Sequence, residues 1–186
     1  MQQALRVRFR QITVPEGLRE QIISERRVWT MRQRWQRPLV HPKDEVTFDT
    51  YCNRMISAVL RQYAMSLETN DPVQIRAHLA RQAAPADYVL PPALEKVTTT
   101  GCGVLGWQQK PVSMICFHSG RPLRLGEKTD MFLFVINRDT VPDAPSGPAP
   151  RIADVNSLVT ATWTRGGKVY VLALEGDAAL IRQYLN

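Results

Sequence analysis

Leu158-Val159-Thr160-Ala161-Thr162-Trp163-Thr164-Arg165-Gly166-Gly167-Lys168-Val169-Tyr170-Val171-Leu172-Ala173-Leu174 is the stretch on which the fold turns. Two runs rich in β-branched and aromatic residues, 158–164 and 169–174, flank a Gly-Gly pair. Glycine at both central positions of a two-residue loop admits the positive φ angles of a primed hairpin turn, so the runs read as antiparallel neighbours. In that register Trp163 faces Tyr170. Upstream, 104–107, 112–117 and 131–136 have the same extended character, which gives about five strands. The interval 140–150 contains four prolines and reads as a surface loop.

Before residue 100 the period is helical. Phe48, Tyr51, Cys52, Met55, Ile56, Val59, Leu60 and Tyr63 recur at three- and four-residue steps and make one apolar stripe over 47–67. Asp71-Pro72, followed by Gln74, marks a second helix start, with an end before Pro85. Pro91-Pro92 introduces at most one further turn over 92–97, and Asp177–Leu185 reads as a closing helix. Thr13 and Glu16 can form a capping box ahead of a helix over 15–34. The expected architecture is α+β: helices 47–67 and 71–83 on one face of a mostly antiparallel sheet, with a C-terminal helix. Residues 45–186 form the globular domain, and 1–44 form a helical arm and linker.

The composition, 44% apolar and 22% charged over 186 residues, is that of a globular chain. Its net charge of +7 is unevenly placed. Residues 1–44 carry ten basic against four acidic side chains, whereas the remaining 142 carry fourteen against thirteen. Basicity therefore belongs to the arm, where Arg19, Arg26, Arg27, Arg32, Arg34 and Arg37 crowd around Trp29 and Trp35. A solvated charged face, a nucleic-acid contact and a juxtamembrane segment are all compatible with it. Tryptophan beside arginine at a membrane edge favours the last, and nucleic acid is not the expected partner. No run of fifteen apolar residues provides a span.

Gly101-Cys102-Gly103-Val104-Leu105-Gly106 matches G-x-G-x-x-G, but it lies between a threonine run and a strand. No helix N-terminus follows to receive a pyrophosphate, so close approach of backbones is the better account of these glycines. A hairpin turning at 108–110 would set Cys102 opposite Cys116, a separation at which a disulfide forms in an oxidising compartment and two core thiols persist in a reducing one. His41, His78 and His118 are scattered. No metal site, cofactor motif or catalytic constellation is expected. Trp107, Trp163 and Tyr170 are the aromatic candidates for a ligand or partner surface, with burial in the core as the competing reading.

Several stretches together resemble a poorly characterised group of bacterial membrane proteins described as anti-sigma-factor-like. They are Ile12-Thr13-Val14-Pro15-Glu16-Gly17-Leu18-Arg19-Glu20-Gln21-Ile22, Ala84-Pro85-Ala86-Asp87-Tyr88-Val89-Leu90-Pro91, the strands at 101–107 and 112–117, the hairpin at 162–170 and the ending at 177–185. The resemblance implies a cytoplasmic N-terminal segment, one membrane span and an extracytoplasmic, periplasmic C-terminal domain. The span is missing here, as is the His/Cys zinc motif of zinc-binding anti-sigma proteins; an excised span or a naturally soluble relative is expected. The expected function is a non-enzymatic sensor or protein-interaction domain with a protein partner, a sigma factor being an open possibility. The alternative is a soluble protein that binds nucleic acid or an anionic surface through the arginine-rich helix.

Overall fold

The computed structural model describes residues 47–62, 64–123 and 127–186. The arginine-bearing arm, its capping box and the boundary at residue 44 lie outside the described residues. Helix α1 spans Phe48–Gln62. It is followed by β1 (Leu67–Glu68), α2 (Pro72–Arg81), α3 (Pro92–Glu95), β2 (Thr98–Trp107), β3 (Lys110–His118), β4 (Met131–Asn137), a 3-10 turn at Arg138–Thr140, β5 (Arg151–Val155), β6 (Leu158–Arg165), β7 (Lys168–Leu174) and α4 (Ala178–Arg182). The strands form one antiparallel sheet in the order β1-β2-β3-β4-β7-β6-β5. Among the described residues no helix is long and apolar enough to cross a membrane.

The hairpin of β6 and β7 forms as its sequence dictates. Gly166 and Gly167 take φ of 58° and 72°, and Trp163 pairs with Tyr170. Their rings stack at 5.1 Å with an interplanar angle of 3°.

The sheet has seven strands where five were expected. β1 has only two residues, and Leu67 belongs to it rather than to the preceding helix, which ends at Gln62. β5 carries Arg151 and Asp154 and pairs only with β6, so it lacks the apolar signature of an interior strand.

The helices also divide between the two faces instead of sharing one. Tyr51, Met55 and Ile56 of α1 pack with Met114, Cys116, Phe134 and Val171. Ile75 and Leu79 of α2, Leu94 of α3 and Ile181 of α4 pack with Ile115, Phe117, Leu133 and Leu172 on the other side. Residues 112–117, 131–136 and 169–174 are buried without interruption. A strand covered on one face alternates apolar with polar residues; a continuous apolar run requires a cover on both. Met55 and Ile56 are 1% and 0% exposed, and burying side chains of this size stabilises by about 2 kcal/mol each.

Two glycines let β1 reach the sheet. A Cβ on Gly101 would lie 2.3 Å from the Leu67 carbonyl oxygen, and one on Gly103 would lie 3.0 Å from that of Ala64. The G-x-G portion of the glycine motif therefore admits the crossing segment 64–68, the role its position between threonines and a strand implied.

The hairpin of β2 and β3 turns through Gln108 and Gln109, both at positive φ, rather than through three residues. That single-residue difference sets Cys102 opposite Ile115 and Cys116 opposite Gly101. Successive residues of a strand point to opposite faces, so Cys102 lies in the cluster with α2 and Cys116 in the cluster with α1. Of the two outcomes the sequence left open for Cys102 and Cys116, a disulfide or two core thiols, the structure has the thiols: all three cysteines are free and buried.

Burial pushes the Cys52 and Cys116 thiols from about 9 up to about 12; the carboxylates of Asp49 and Asp143 add to the shift at Cys52. An unfolded chain releases these protons near pH 9 while the folded chain keeps them. Stability is therefore full below that pH and declines as pH rises towards the folded value, by up to about 1.4 kcal/mol per pH unit for each thiol. Urea unfolding at pH 8 and pH 10 should show the lower midpoint at pH 10, with a smaller difference in Cys116→Ala. Thiol reagents should label the native chain slowly and reach all three cysteines after unfolding.

Candidate functional site: a groove walled by two helices and a strapped segment

Between α2, α3 and the first residues of β2 lies an open groove of about 460 Å³. Its apolar wall is made by Leu90, Leu94, Val97 and Phe117, and its polar side by Asn70, Arg76, Lys96, Thr98 and Thr99. Pro72, Tyr88 and Glu95 complete the lining. Each wall has a local reason to stand where it does. Asp71 caps α2 by accepting from Val73 N at 2.8 Å, and Gln74 Nε2 donates to the same carboxyl group at 3.0 Å. These bonds hold the Asp71 carboxyl below its ordinary range, first through Val73 and then through Gln74. α3 begins with proline at its first turn and directs Leu94 into the core.

The segment from Ala84 to Leu90 has no regular structure, so its backbone groups need partners from elsewhere. Three elements supply them. Ala84 N donates to Leu79 O at the end of α2, and Ser113 Oγ in β3 donates to Pro85 O at 2.6 Å. Arg76 Nη1 donates to Ala86 O at 2.7 Å and Tyr88 O at 2.9 Å. Val89 N donates to Tyr170 Oη at 3.1 Å, and Lys168 Nζ bonds Asp87 at 2.6 Å. The hydrogen bond from Lys168 holds the Asp87 carboxyl below its usual range. The result is a strap fastened across the sheet, with Tyr88 3% exposed and covered by the Arg76 guanidinium at 4.0 Å from the ring centroid.

Arg76 is thus fixed by two carbonyls and an aromatic face. Both protons of Nη1 are engaged, while among the described residues Nε and Nη2 have no acceptor. Lys96 is exposed and, among the described residues, has no carboxylate partner. The groove therefore offers one held cation and one exposed cation beside an apolar wall, with Glu95 exposed beside them.

The aromatic residues expected to form one surface do not meet. Trp163 and Tyr170 are 4% and 1% exposed and stack beneath the strap, whereas Trp107 is 3% exposed and packs against Tyr51 of α1 on the other face. All three are core residues. Their sequence spacing held no information about face, because Trp107 precedes a turn whose length decides it.

Tyr51 Oη and Trp107 Nε1 are buried without a hydrogen-bond partner among the described residues. An unsatisfied buried hydroxyl costs about 1–3 kcal/mol, so Tyr51→Phe is expected to be neutral or stabilising by about 1 kcal/mol. Urea unfolding measures this, and a clear loss of stability would reveal a partner for the hydroxyl.

Two polar groupings have the residue types of a catalytic site but not its connectivity. Asp130 accepts from Ser119 N at 2.8 Å and from Ser119 Oγ, while His118 Nδ1 accepts from Gly120 N at 3.2 Å and lies 3.8 Å from Asp130. The serine proton is committed to the carboxylate, not to the imidazole, and the cluster closes the chain leaving β3. Ser66 Oγ and His78 Nε2 are 2.9 Å apart, with no carboxylate beyond the imidazole among the described residues. A nucleophile needs a base that is itself oriented, and neither grouping supplies the series. Groups of histidine, cysteine and carboxylate residues able to hold a metal ion are absent among the described residues.

Sequence reasoning missed the groove. Its one legible element was the end of the second helix before Pro85, which says nothing of what fastens the segment that follows. Arg76 and Lys96 sit at unremarkable positions on α2 and after α3. Comparison of the chain with family models, with curated proteins and with solved structures gives no match.

Proposed function

We infer that residues 45–186 are a non-enzymatic sensing or interaction domain of an anti-sigma-factor-like regulatory protein, with the groove at Arg76 and Leu94 as its working site. The observation that carries this reading is the strap. Four side chains from α2, β3 and β7 serve to hold an irregular segment still beside an open, half-apolar groove. Rigid walls around a concave surface lower the ordering cost of binding. The polar side chains near it fasten structure instead of forming a proton-transfer series, which favours recognition over chemistry. The arginines and tryptophans of the arm support a membrane-flanking position for the N-terminal segment.

Deletion of the gene tests the reading. A regulatory role predicts that a coherent set of transcripts changes and is restored by the wild-type chain. Unchanged transcription, or turnover of a substrate by the purified chain, would overturn it.

A further inference from the structure

The groove's chemistry specifies a class of ligand, on the premise that it is the working site. We propose that it binds a small amphipathic carboxylate, with the carboxylate on Arg76 and the apolar body against Leu90 and Val97, the half-buried apolar side chains of the lining.

Three observations lead there. First, Nη1 of Arg76 is used up by Ala86 O and Tyr88 O, so the edge left is Nε with Nη2. That edge presents two parallel N–H donors, the spacing that a carboxylate accepts bidentately. The guanidinium is already oriented by its carbonyls and by Tyr88 at 4.0 Å, so little side-chain freedom remains to be lost on binding. Second, the balance of charge in the lining is Arg76 and Lys96 against Glu95, an excess of one cation, which suits a monoanion. Asp87, the next nearest acid on the strap, is occupied by Lys168. Third, Leu90 and Val97 give the lining an accessible apolar side, and the groove holds about 460 Å³, within the ordinary range for small-molecule sites. An inorganic anion would leave that side wet, and a purely apolar molecule would leave the arginine edge facing a desolvated surface without an acceptor.

The surface alternatives carry less. The acids Glu127, Asp130 and Glu175 line a second, smaller cavity, but Asp130 is spent on Ser119. The outer edge of β2 beyond Gly103 is free of charge and proline, yet nothing in its surroundings specifies an occupant.

The test uses the full 186-residue chain, uniformly labelled with ¹⁵N, titrated with octanoate and, separately, with 1-octanol and octylamine. Because the arginines of residues 1–44 attract any anion, the readout is confined to the amide signals of Leu90, Leu94, Lys96 and Val97. Octanoate is expected to move these signals saturably, with a Kd at least tenfold below that of 1-octanol or octylamine. Lys96→Gln, which removes a side chain holding no structural bond among the described residues, should raise the octanoate Kd about threefold or more. Equal affinity for octanoate and 1-octanol would overturn the carboxylate assignment while leaving an apolar binding groove. Absence of any saturable shift at these four amides would overturn the proposal altogether. Neither result bears on the transcript changes that test the regulatory reading, so the two fail separately.

Discussion

Gly101→Val is expected to cost about 3 kcal/mol and to lower the melting temperature by roughly 9 °C, among the largest losses a single substitution outside the apolar core can give here. The reason is local and geometric. The Cβ position is 2.3 Å from the Leu67 carbonyl oxygen and 2.8 Å from Met65 Sδ. The methionine is flexible and can turn away, but the carbonyl belongs to β1, whose two residues pair with Cys102 and Gly101 itself. Relief therefore requires β1 to leave the sheet, breaking the bonds from Ser66 N to Cys102 O and Thr69 N to Thr100 O as well. Gly106→Ala in the same strand is the control, because nothing lies within 4 Å of the added carbon. It should stay within about 0.5 kcal/mol of the parent. Thermal unfolding of the two variants measures the difference, and equal stabilities would contradict the described crossing.

Arg76→Met should destabilise by a similar amount, about 3 kcal/mol, with its damage concentrated in the strap. Hydrogen bonds to a charged donor contribute about 1.5–3 kcal/mol each, and the substitution leaves the part-buried carbonyls of Ala86 and Tyr88 without their donor. Methionine keeps the length and apolar stem of the side chain, so the loss reflects the guanidinium and not a cavity. Hydrogen exchange should register it as faster opening at residues 84–90, with the amides of β4 and β7 still protected. Uniform acceleration across the sheet would mean that the strap and the sheet open as one unit. Either pattern is read against Lys168→Gln, which removes only the fastening to the exposed Asp87 and should have a smaller effect.

What the chain reveals before folding depends on whether a feature is local. The β6–β7 hairpin was legible because Gly166-Gly167 encode its turn, and the start of α2 because Asp71 bonds an amide in the first turn of its own helix. α1 was legible from the stripe through Tyr51, Met55 and Val59. The division of helices between two faces was present as unbroken apolar runs in β4 and β7, though helix order along the chain suggested one face. The cysteine pairing failed on the length of one turn: Gln108 and Gln109 at positive φ carry no glycine to announce a two-residue loop. A shift of one residue moves a side chain through the sheet, which is why Cys116 and Trp107 came out on the α1 side, away from Cys102 and Trp163 respectively. The groove was illegible for a different reason. It is assembled by contacts between residues far apart in sequence, such as Ser113 with Pro85 and Tyr170 with Val89, and no short pattern encodes them.

The most direct test of the groove as the working site fills it in the living cell. Thr98 is exposed and lines the groove, whereas Ala153 is exposed on β5 at the far edge of the sheet. Thr98→Trp is expected to change the same transcripts as deletion of the gene, at undiminished protein level, while Ala153→Trp leaves them as in the parent. Identical transcription in parent, Thr98→Trp and Ala153→Trp, with the deletion strain still altered, would show that regulation runs through another surface and would contradict the account.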